Sequence, residues 1–193
     1  MGIRSSVSAI WRRLEAYAAH DDPLVAAGNW IALVVASNQP FYPIYLYAIV
    51  GEQLTPSLVT FLSTPFFAAV PALSRRHPAA GRAMLPLVGI ANVAISAKAM
   101  GVSSGVELFL IPCALIAACL FRPSERKVGL PIVGVALATY FFLHGRYGAP
   151  IGNYSASEYG ALFSLNAVSA ATLTVFVGLL IAGIVARAEG PGR

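Results

Sequence analysis

The chain has 193 residues, of which 58% are hydrophobic and 11% are charged, and its mean hydropathy is +0.73. Soluble domains carry about 25% charged residues, so this composition excludes an ordinary soluble protein and predicts one integral membrane domain. The net charge of +5 comes from short basic clusters at the ends of apolar runs, which indicates membrane anchors and not a nucleic-acid surface.

Residues 1–23 form an amphipathic segment. Its apolar positions recur at helical spacing, at Val7, Ile10, Trp11, Leu14 and Tyr17. Charged residues occupy the rest of each turn. This pattern predicts a short interfacial helix with its aromatic rings at headgroup depth.

Residues 24–187 contain apolar runs that predict an all-α membrane domain of six transmembrane helices. The predicted spans are about 24–50, 55–73, 83–100, 106–121, 129–144 and 161–186, followed by a tail at 188–193. Pro40 and Pro43 should kink or break the first span. A basic loop at 74–82 and a longer polar loop at 145–160 separate neighbouring spans.

The central hairpin joins the third and fourth spans through the short turn Gly101 to Gly105. Such a connection forces two antiparallel helices together and brings Lys98 and Glu107 to the same membrane face. We expect an ion pair between them that locks the hairpin. The alternatives are that both side chains snorkel to the interface, or that they bind a charged ligand or a proton.

The distribution of positive charge predicts the orientation. With the N terminus in the cytoplasm, 11 of the 13 lysine and arginine residues fall on the cytoplasmic side, and only Lys98 and Arg146 do not. The positive-inside rule therefore places both termini in the cytoplasm, in what we expect to be a bacterial inner membrane. The residues counted as inside are Arg4, Arg12, Arg13, Arg75, Arg76, Arg82, Arg122, Arg126, Lys127, Arg187 and Arg193.

Polar and aromatic residues in the spans supply the candidate sites. Amides within or near the spans predict hydrogen bonds between helices; they are Asn29, Asn38, Gln39, Asn92 and Asn166. Aromatic residues of the outer half suit an interfacial belt, or else an outward-facing cavity for a small or lipophilic ligand beside the Pro40–Pro43 segment. The candidate ligand-binding residues are Tyr42, Tyr45, Lys98, Glu107, Tyr140 and His144.

The last span carries a small residue at every fourth position. The ladder is Ala170, Thr174, Gly178, Ala182 and Ala186. Small residues let a second helix backbone approach closely, so this face packs either within the bundle or against a second copy of the chain.

Residues for catalysis or metal binding do not converge in the predicted topology. His20 and His77 fall on the cytoplasmic side and His144 on the outer side, so no haem or metal site is expected. Cys113 and Cys119 are nearly two helical turns apart, too far for a disulfide. We therefore expect no cofactor and no enzymatic activity.

One stretch resembles a known family. Residues 60–71, the basic loop, the third span and the run Gly101-Val-Ser-Ser-Gly-Val-Glu-Leu-Phe-Leu110 are similar to the six-helix membrane module of bacterial class III adenylate cyclases, and related modules precede some sensor kinases. The resemblance covers about residues 55–125. It implies a dimeric receptor and anchor. The sequence here has no counterpart of the family's coupling helix or catalytic domain, so the family activity does not transfer.

Three functions remain open from the sequence. The first is a non-catalytic receptor and anchor module, a homodimer that senses a small or lipophilic ligand from the outer side of the bilayer. The second is an accessory or assembly subunit of a larger membrane complex, which fits the small size and the small-residue face equally well. The third is a small solute transport subunit.

Overall fold

The computed structural model describes residues 2–51 and 53–190, with side chains from Ser8 onward, so the predicted roles of Val7 and Arg4 lie outside the described side chains. This part of the chain is all-α, as predicted, and contains no strand. The α-helices are α1 Gly2–Ala18, α2 Pro23–Asn38, α3 Tyr42–Val50, α4 Thr64–Arg76, α5 Pro78–Met100, α6 Leu110–Cys119, α7 Arg126–Leu143 and α8 Ala156–Glu189. The 3-10 segments are Gln39–Phe41, Thr55–Ser63, Val102–Ser104, Val106–Phe109 and Pro123–Glu125.

In the part of the chain that the structure describes, four helical stretches are long and apolar enough to cross a membrane, which indicates an integral membrane protein. They are Thr55–Arg76, Pro78–Met100, Pro123–Leu143 and Ala156–Glu189. Val106–Cys119 is apolar but shorter, and the first predicted span is divided between α2 and α3. The six-span arrangement therefore stays a prediction.

Helix α5 lies at the centre of the bundle and packs against α2, α4, α6 and α7. Its buried residues Leu85, Ile90 and Val93 join the main hydrophobic core together with side chains from each of those helices. A second, smaller core forms where the last turn of α5, with Ala97 and Met100, meets α3 and the start of α8. Close van der Waals packing of these apolar side chains holds the helices together inside the bundle.

The connection between α4 and α5 is much shorter than the loop predicted at 74–82. Only His77 separates the two helices, and Pro78 begins α5 at the first helical position, where its missing N–H is not needed. Gly81 then lies directly against Ser74, so a Cβ at position 81 would be 2.9 Å from the Ser74 Cα atom. The prediction of a basic loop at 74–82 was wrong, because Pro78 and Gly81 lie in the first turn of the next helix.

The hairpin between α5 and α6 has the predicted tight turn. Gly101 and Gly105 adopt positive φ angles of +87° and +77°, which other residues rarely do. Helix α8 crosses directly over this turn, since a Cβ on Gly105 would be 2.8 Å from the Phe163 ring. The hairpin is therefore fixed both by its own backbone and by α8.

The predicted break in the first span is confirmed. Helix α2 ends at Asn38, and the 3-10 turn Gln39–Phe41 leads into α3, which begins one residue before Pro43. A proline ring clashes with the preceding turn of an α-helix, so Pro40 and Pro43 end one helix and start the next. Beyond the break, α3 packs against α8.

Helix α1 is amphipathic and packs on the bundle through its aromatic residues. Trp11 lies 5.7 Å from Trp30 between ring centroids, and the Tyr17 hydroxyl donates to the Ala68 carbonyl at 2.8 Å. Ile10 remains exposed. An exposed apolar face fits the predicted interfacial helix, whose membrane position stays a prediction.

Helix α8 is longer than the predicted span 161–186 because it has a capping box at its start. The Ser155 hydroxyl accepts from the Glu158 N–H, and the Glu158 carboxylate accepts from the Ser155 N–H. The other helix bounds differ from the predicted ones by a few residues. Below, the end of the bundle that holds Arg82 and Arg122 is called the basic end, and the opposite end, with the Gly101–Gly105 turn, is called the turn end.

Candidate functional site

A cavity of about 600 Å³ lies within the bundle, in the part nearer the turn end. It is bounded by α5, α6 and α8, together with the end of α2 and the start of α3. Along α5 the lining runs from Leu85 to Met100, a separation of fifteen residue steps, or about 22 Å at 1.5 Å per step. A volume of this size falls in the range of small-molecule sites.

The chemistry of the lining changes along the cavity. Its end nearer the basic end is apolar, with Phe67, Leu85, Cys113 and Ile116. The rest of the lining carries amides, hydroxyls and phenols; they belong to Ser37, Asn38, Gln39, Tyr42, Tyr45, Thr60, Asn92, Ser96, Asn166, Ser169 and Thr172. Among the described residues, the lining contains no charged side chain.

The 3-10 turn at Gln39–Phe41 shapes one wall of the cavity. The Gln39 amide donates to the Thr60 carbonyl at 3.1 Å and to the Ser63 hydroxyl at 2.5 Å, and it accepts from the Thr64 hydroxyl. Gln39 is buried and its polar atoms are used within the protein. These bonds fix the proline break against the Thr55–Ser63 segment and so hold the neighbouring Tyr42 in place.

Tyr42 closes the cavity at the turn end through a short chain of hydrogen bonds. Its hydroxyl donates to Asn166 Oδ1 at 3.0 Å, and the Asn166 amide donates to the Ser104 carbonyl at 2.8 Å. Asn166 and Ser104 are fully buried. The bonds join α3, α8 and the central hairpin, so the predicted role of Asn166 as a contact between helices is confirmed.

Two polar side chains of α5 face the cavity with unused hydrogen-bonding capacity. Ser96 is 3% exposed, and its hydroxyl has no hydrogen-bond partner among the described residues. Asn92, one turn earlier on the same face, has no hydrogen bond from its side chain within the described part of the chain. Burial of an unpaired polar group costs about 1–3 kcal/mol, so Ser96 in particular needs an explanation.

The predicted candidates Glu107 and His144 form a separate cluster at the turn end. His144 Nδ1 and Glu107 Oε2 are 2.5 Å apart, and the Tyr140 ring lies 4.9 Å from the His144 ring. The contact is an ion pair when His144 is protonated and a neutral-to-charged hydrogen bond otherwise. Glu107 is buried, and its Oε1 atom has no hydrogen-bond partner in the described chain.

Tyr147 lies beside this cluster, in the segment between α7 and α8. Burial, and then the nearby charge of Glu107, raises the pKa of Tyr147 to about 12. Its hydroxyl therefore stays protonated at any physiological pH. The hydroxyl is buried and has no hydrogen-bond partner of normal geometry among the described residues, although it interacts electrostatically with the Glu107 carboxylate.

The predicted ion pair between Lys98 and Glu107 was wrong. Lys98 Nζ donates to the Ala149 carbonyl at 2.8 Å, and the backbone of Ile151 bonds back to the Lys98 carbonyl. Lys98 thus holds the segment before α8 onto the end of α5. Glu107 lies in the 3-10 segment Val106–Phe109 and not in an α-helix. Its carboxylate pairs with His144, at the end of α7, instead of with Lys98.

The basic end contains an ionic network that the sequence patterns did not predict. Arg82 is buried and makes two bonds to the Glu125 carboxylate, at 2.6 and 2.9 Å, and a third to the Leu120 carbonyl at 2.7 Å. Arg122 pairs with Asp22 at 2.7 Å. The sequence predicts only a membrane-anchoring role for both arginines. Their partners lie 43 and 100 positions away along the chain, and no local sequence pattern links residues so far apart.

Asp22 also caps α2, and its pKa reflects both roles. Burial acts to raise the pKa of this carboxyl, but the hydrogen bonds from Arg122 and the Leu24 N–H, with the charges of Arg122 and Arg82, lower it below its ordinary value. The Asp22 carboxylate is therefore charged at neutral pH. It joins the start of α2 to the connection between α6 and α7.

The small-residue ladder of α8 is divided between two environments. Ala170 is buried in the bundle, and Thr174 donates to the Ala170 carbonyl at 2.7 Å. Gly178 and Ala182 face outward, and a Cβ on Gly178 would meet no described atom within 4 Å. The inner half of the ladder thus packs within the bundle, while the other half is open.

Cysteine and histidine residues are dispersed. Cys113 and Cys119 are both free thiols. In the part of the chain that the structure describes, no group of three or more histidine, cysteine, aspartate or glutamate side chains is arranged to hold a metal ion.

Comparisons with protein-family models, with curated proteins and with solved structures gave no match. The resemblance to adenylate cyclase membrane modules therefore stays an expectation from the sequence.

Proposed function

We propose that this chain is a non-catalytic six-helix receptor and anchor module of a bacterial inner membrane, with both termini in the cytoplasm. The observation that carries the proposal is the cavity, which combines a ligand-sized volume with an apolar end and a polar, uncharged end. In the proposed orientation the basic end is cytoplasmic, and the polar end of the cavity lies towards the outer side of the bilayer. A small or lipophilic ligand would reach it from that side.

Ligand binding is tested with the lipids of the native membrane. The purified protein should melt at a higher temperature in a total lipid extract of that membrane than in a synthetic lipid of matched charge, because a ligand that binds only the folded state stabilises it. Thr172→Trp, on the exposed rim of the cavity, should abolish the difference. Ala171→Trp is the control, since Ala171 is exposed but does not line the cavity. An equal shift in both variants would contradict the proposal.

The orientation is tested with two matched cysteine variants. Ser103 and Ser124 are both exposed, and they lie at the turn end and at the basic end respectively. With both native cysteines replaced by serine, a membrane-impermeant maleimide should label Ser103→Cys in intact cells. Ser124→Cys should react only after the membrane is opened. Labelling of both, or of Ser124→Cys alone, would refute the orientation.

Dimerisation belongs to the same proposal and is supported by the open half of the α8 ladder. A bulky side chain at Gly178 would keep a second helix away, and its Cβ would meet no described atom of this chain within 4 Å. After chemical crosslinking, the wild type should therefore run as a dimer and Gly178→Trp as a monomer. Leu179→Trp, at a neighbouring exposed position, should not.

The same open face supports a second candidate function, an accessory subunit of a larger complex. If Gly178→Trp releases a different polypeptide instead of a second copy of this chain, the face docks that partner. The two candidates are separated by the identity of the protein that copurifies with the wild type in constant ratio.

A further inference from the structure

We infer that the cavity binds an uncharged amphiphile, with its hydroxyl or carbonyl group at Ser96 and its hydrocarbon chain directed towards the basic end. This inference rests on the proposed receptor function and deepens it by naming the ligand class. It is carried by four properties of the cavity: the absence of charge, the unused polar atoms, the polarity gradient and the position of the opening.

The lining carries no charge that could neutralise an ionic ligand. The two charged side chains that are buried in the described chain are used elsewhere: Arg82 binds Glu125 at the basic end, and Glu107 binds His144 outside the cavity. Moving an ion from water into such a site without a partner is strongly unfavourable. The site therefore selects against carboxylates, phosphates and ammonium groups.

The unused hydrogen-bonding groups mark where the polar group of the ligand binds. The Ser96 hydroxyl is nine-tenths buried or more, faces the cavity and lacks a partner in the described chain. Asn92 lies one turn away and offers an amide with both a donor and an acceptor. Gln39 and Asn166 are already bonded within the protein, so they shape the site without being free to bind.

The rest of the cavity is suited to a hydrocarbon chain. Beyond Asn92 towards the basic end, the lining residues of α4, α5 and α6 are Gly89, Leu85, Cys113, Ile116 and Phe67, and among these only the weak thiol can donate or accept a hydrogen bond through its side chain. A polar group at Ser96 with an apolar chain below it matches this order. The reverse orientation would bury the polar group without a partner.

The opening is on the side of the bundle and not at its end. The turn end is closed by the bonds between Tyr42, Asn166 and Ser104, and by Met100, which is fully buried. Exposed lining residues instead lie along the side of the bundle, with Val34 on α2, Tyr45 on α3 and Val168 on α8. An apolar side opening admits a ligand that is already dissolved in the bilayer.

The test uses probes of equal chain length and different charge. The protein is placed in nanodiscs of uncharged lipid at pH 9, and saturable binding of radiolabelled dodecan-1-ol and dodecanoate is measured against protein-free nanodiscs. Affinities are expressed as mole fraction in the lipid, so that the different partitioning of the two probes does not enter. Dodecan-1-ol should bind at one site, at least about tenfold more tightly than dodecanoate.

Ser96→Ala should weaken dodecan-1-ol binding about fivefold, the loss of one hydrogen bond of about 1 kcal/mol. The same variant removes an unpaired buried hydroxyl, so its melting temperature without probe should be unchanged or higher. Loss of affinity with retained stability distinguishes a binding role from a structural one. Unchanged affinity in Ser96→Ala would overturn the assignment of the polar group.

The outcomes also separate this inference from the proposed function. Saturable binding of dodecanoate that equals or exceeds that of the alcohol, and that Thr172→Trp blocks, overturns the uncharged ligand class but leaves a receptor cavity. Absence of saturable binding for both probes, together with no effect of Thr172→Trp on melting in native lipid, overturns the inference and the receptor proposal alike.

Discussion

Removal of the Arg82 guanidinium should destabilise the fold more than any other single charge deletion at the basic end. Arg82 is buried, donates to both Glu125 oxygens and to the Leu120 carbonyl, and lies 5.1 Å from the centre of the Phe121 ring. Arg82→Ala leaves a carboxylate and a buried carbonyl without these partners. Breaking a buried pair from one side costs about 3–5 kcal/mol.

The lower end of that range applies here, because the Glu125 side chain is 27% exposed and water screens its charge. We therefore expect Arg82→Ala to lower the free energy of unfolding by about 3 kcal/mol. Arg82→Lys keeps the charge but cannot make the paired bonds, so it should recover only part of the loss. The assay is reversible unfolding in mixed micelles with increasing sodium dodecyl sulfate.

The control is Arg122→Ala, which removes the more exposed partner of Asp22. An ion pair at this exposure contributes no more than about 1 kcal/mol. If Arg82→Ala and Arg122→Ala lower the free energy of unfolding equally, or if Arg82→Ala is neutral, the reasoning from burial and bond number is refuted.

Three further predictions follow from the same geometry. Gly81→Ala should be strongly destabilising in the same unfolding assay, because its Cβ would overlap α4, while Gly134→Ala, inside α7 with open space around it, should be neutral or stabilising. Asp22 has a lowered pKa in the fold, so its carboxylate stabilises the protein above the ordinary aspartate pKa, and this contribution is lost as the pH falls through the lowered value. Unfolding measured between pH 7 and pH 3 should show a loss of stability that is smaller in Asp22→Asn. A double-mutant cycle on Glu107 and His144 should give a coupling energy above about 0.5 kcal/mol.

Local backbone chemistry in the sequence was a good guide to the fold. The hairpin turn followed from Gly101 and Gly105, and the break before α3 from Pro40 and Pro43, because these residues act on their immediate neighbours. The same local rules, applied more strictly, would have started α5 at Pro78 instead of placing a loop there.

The sequence predicted the pairing of side chains between helices poorly. Such pairing depends on how each helix is rotated about its own axis, and the sequence alone does not give that rotation. Lys98 and Glu107 are close along the chain and both lie at the turn end, yet they do not bind each other. Lys98 bonds to the segment before α8, and Glu107 bonds to His144 at the end of α7. Tyr42 and Tyr45 were predicted near a cavity and do line one. Ser96 gave no signal of its own, since a serine in a helix is ordinary and only burial without a partner distinguishes it.

The most direct test of the receptor account is native mass spectrometry of the protein, extracted in mild detergent from its own membrane. The account predicts a dimer in which each chain carries one small, uncharged, lipid-like mass, and loss of that mass in Thr172→Trp but not in Ala171→Trp. A protein without a bound mass, or a mass that both variants retain, would contradict a ligand site in this cavity.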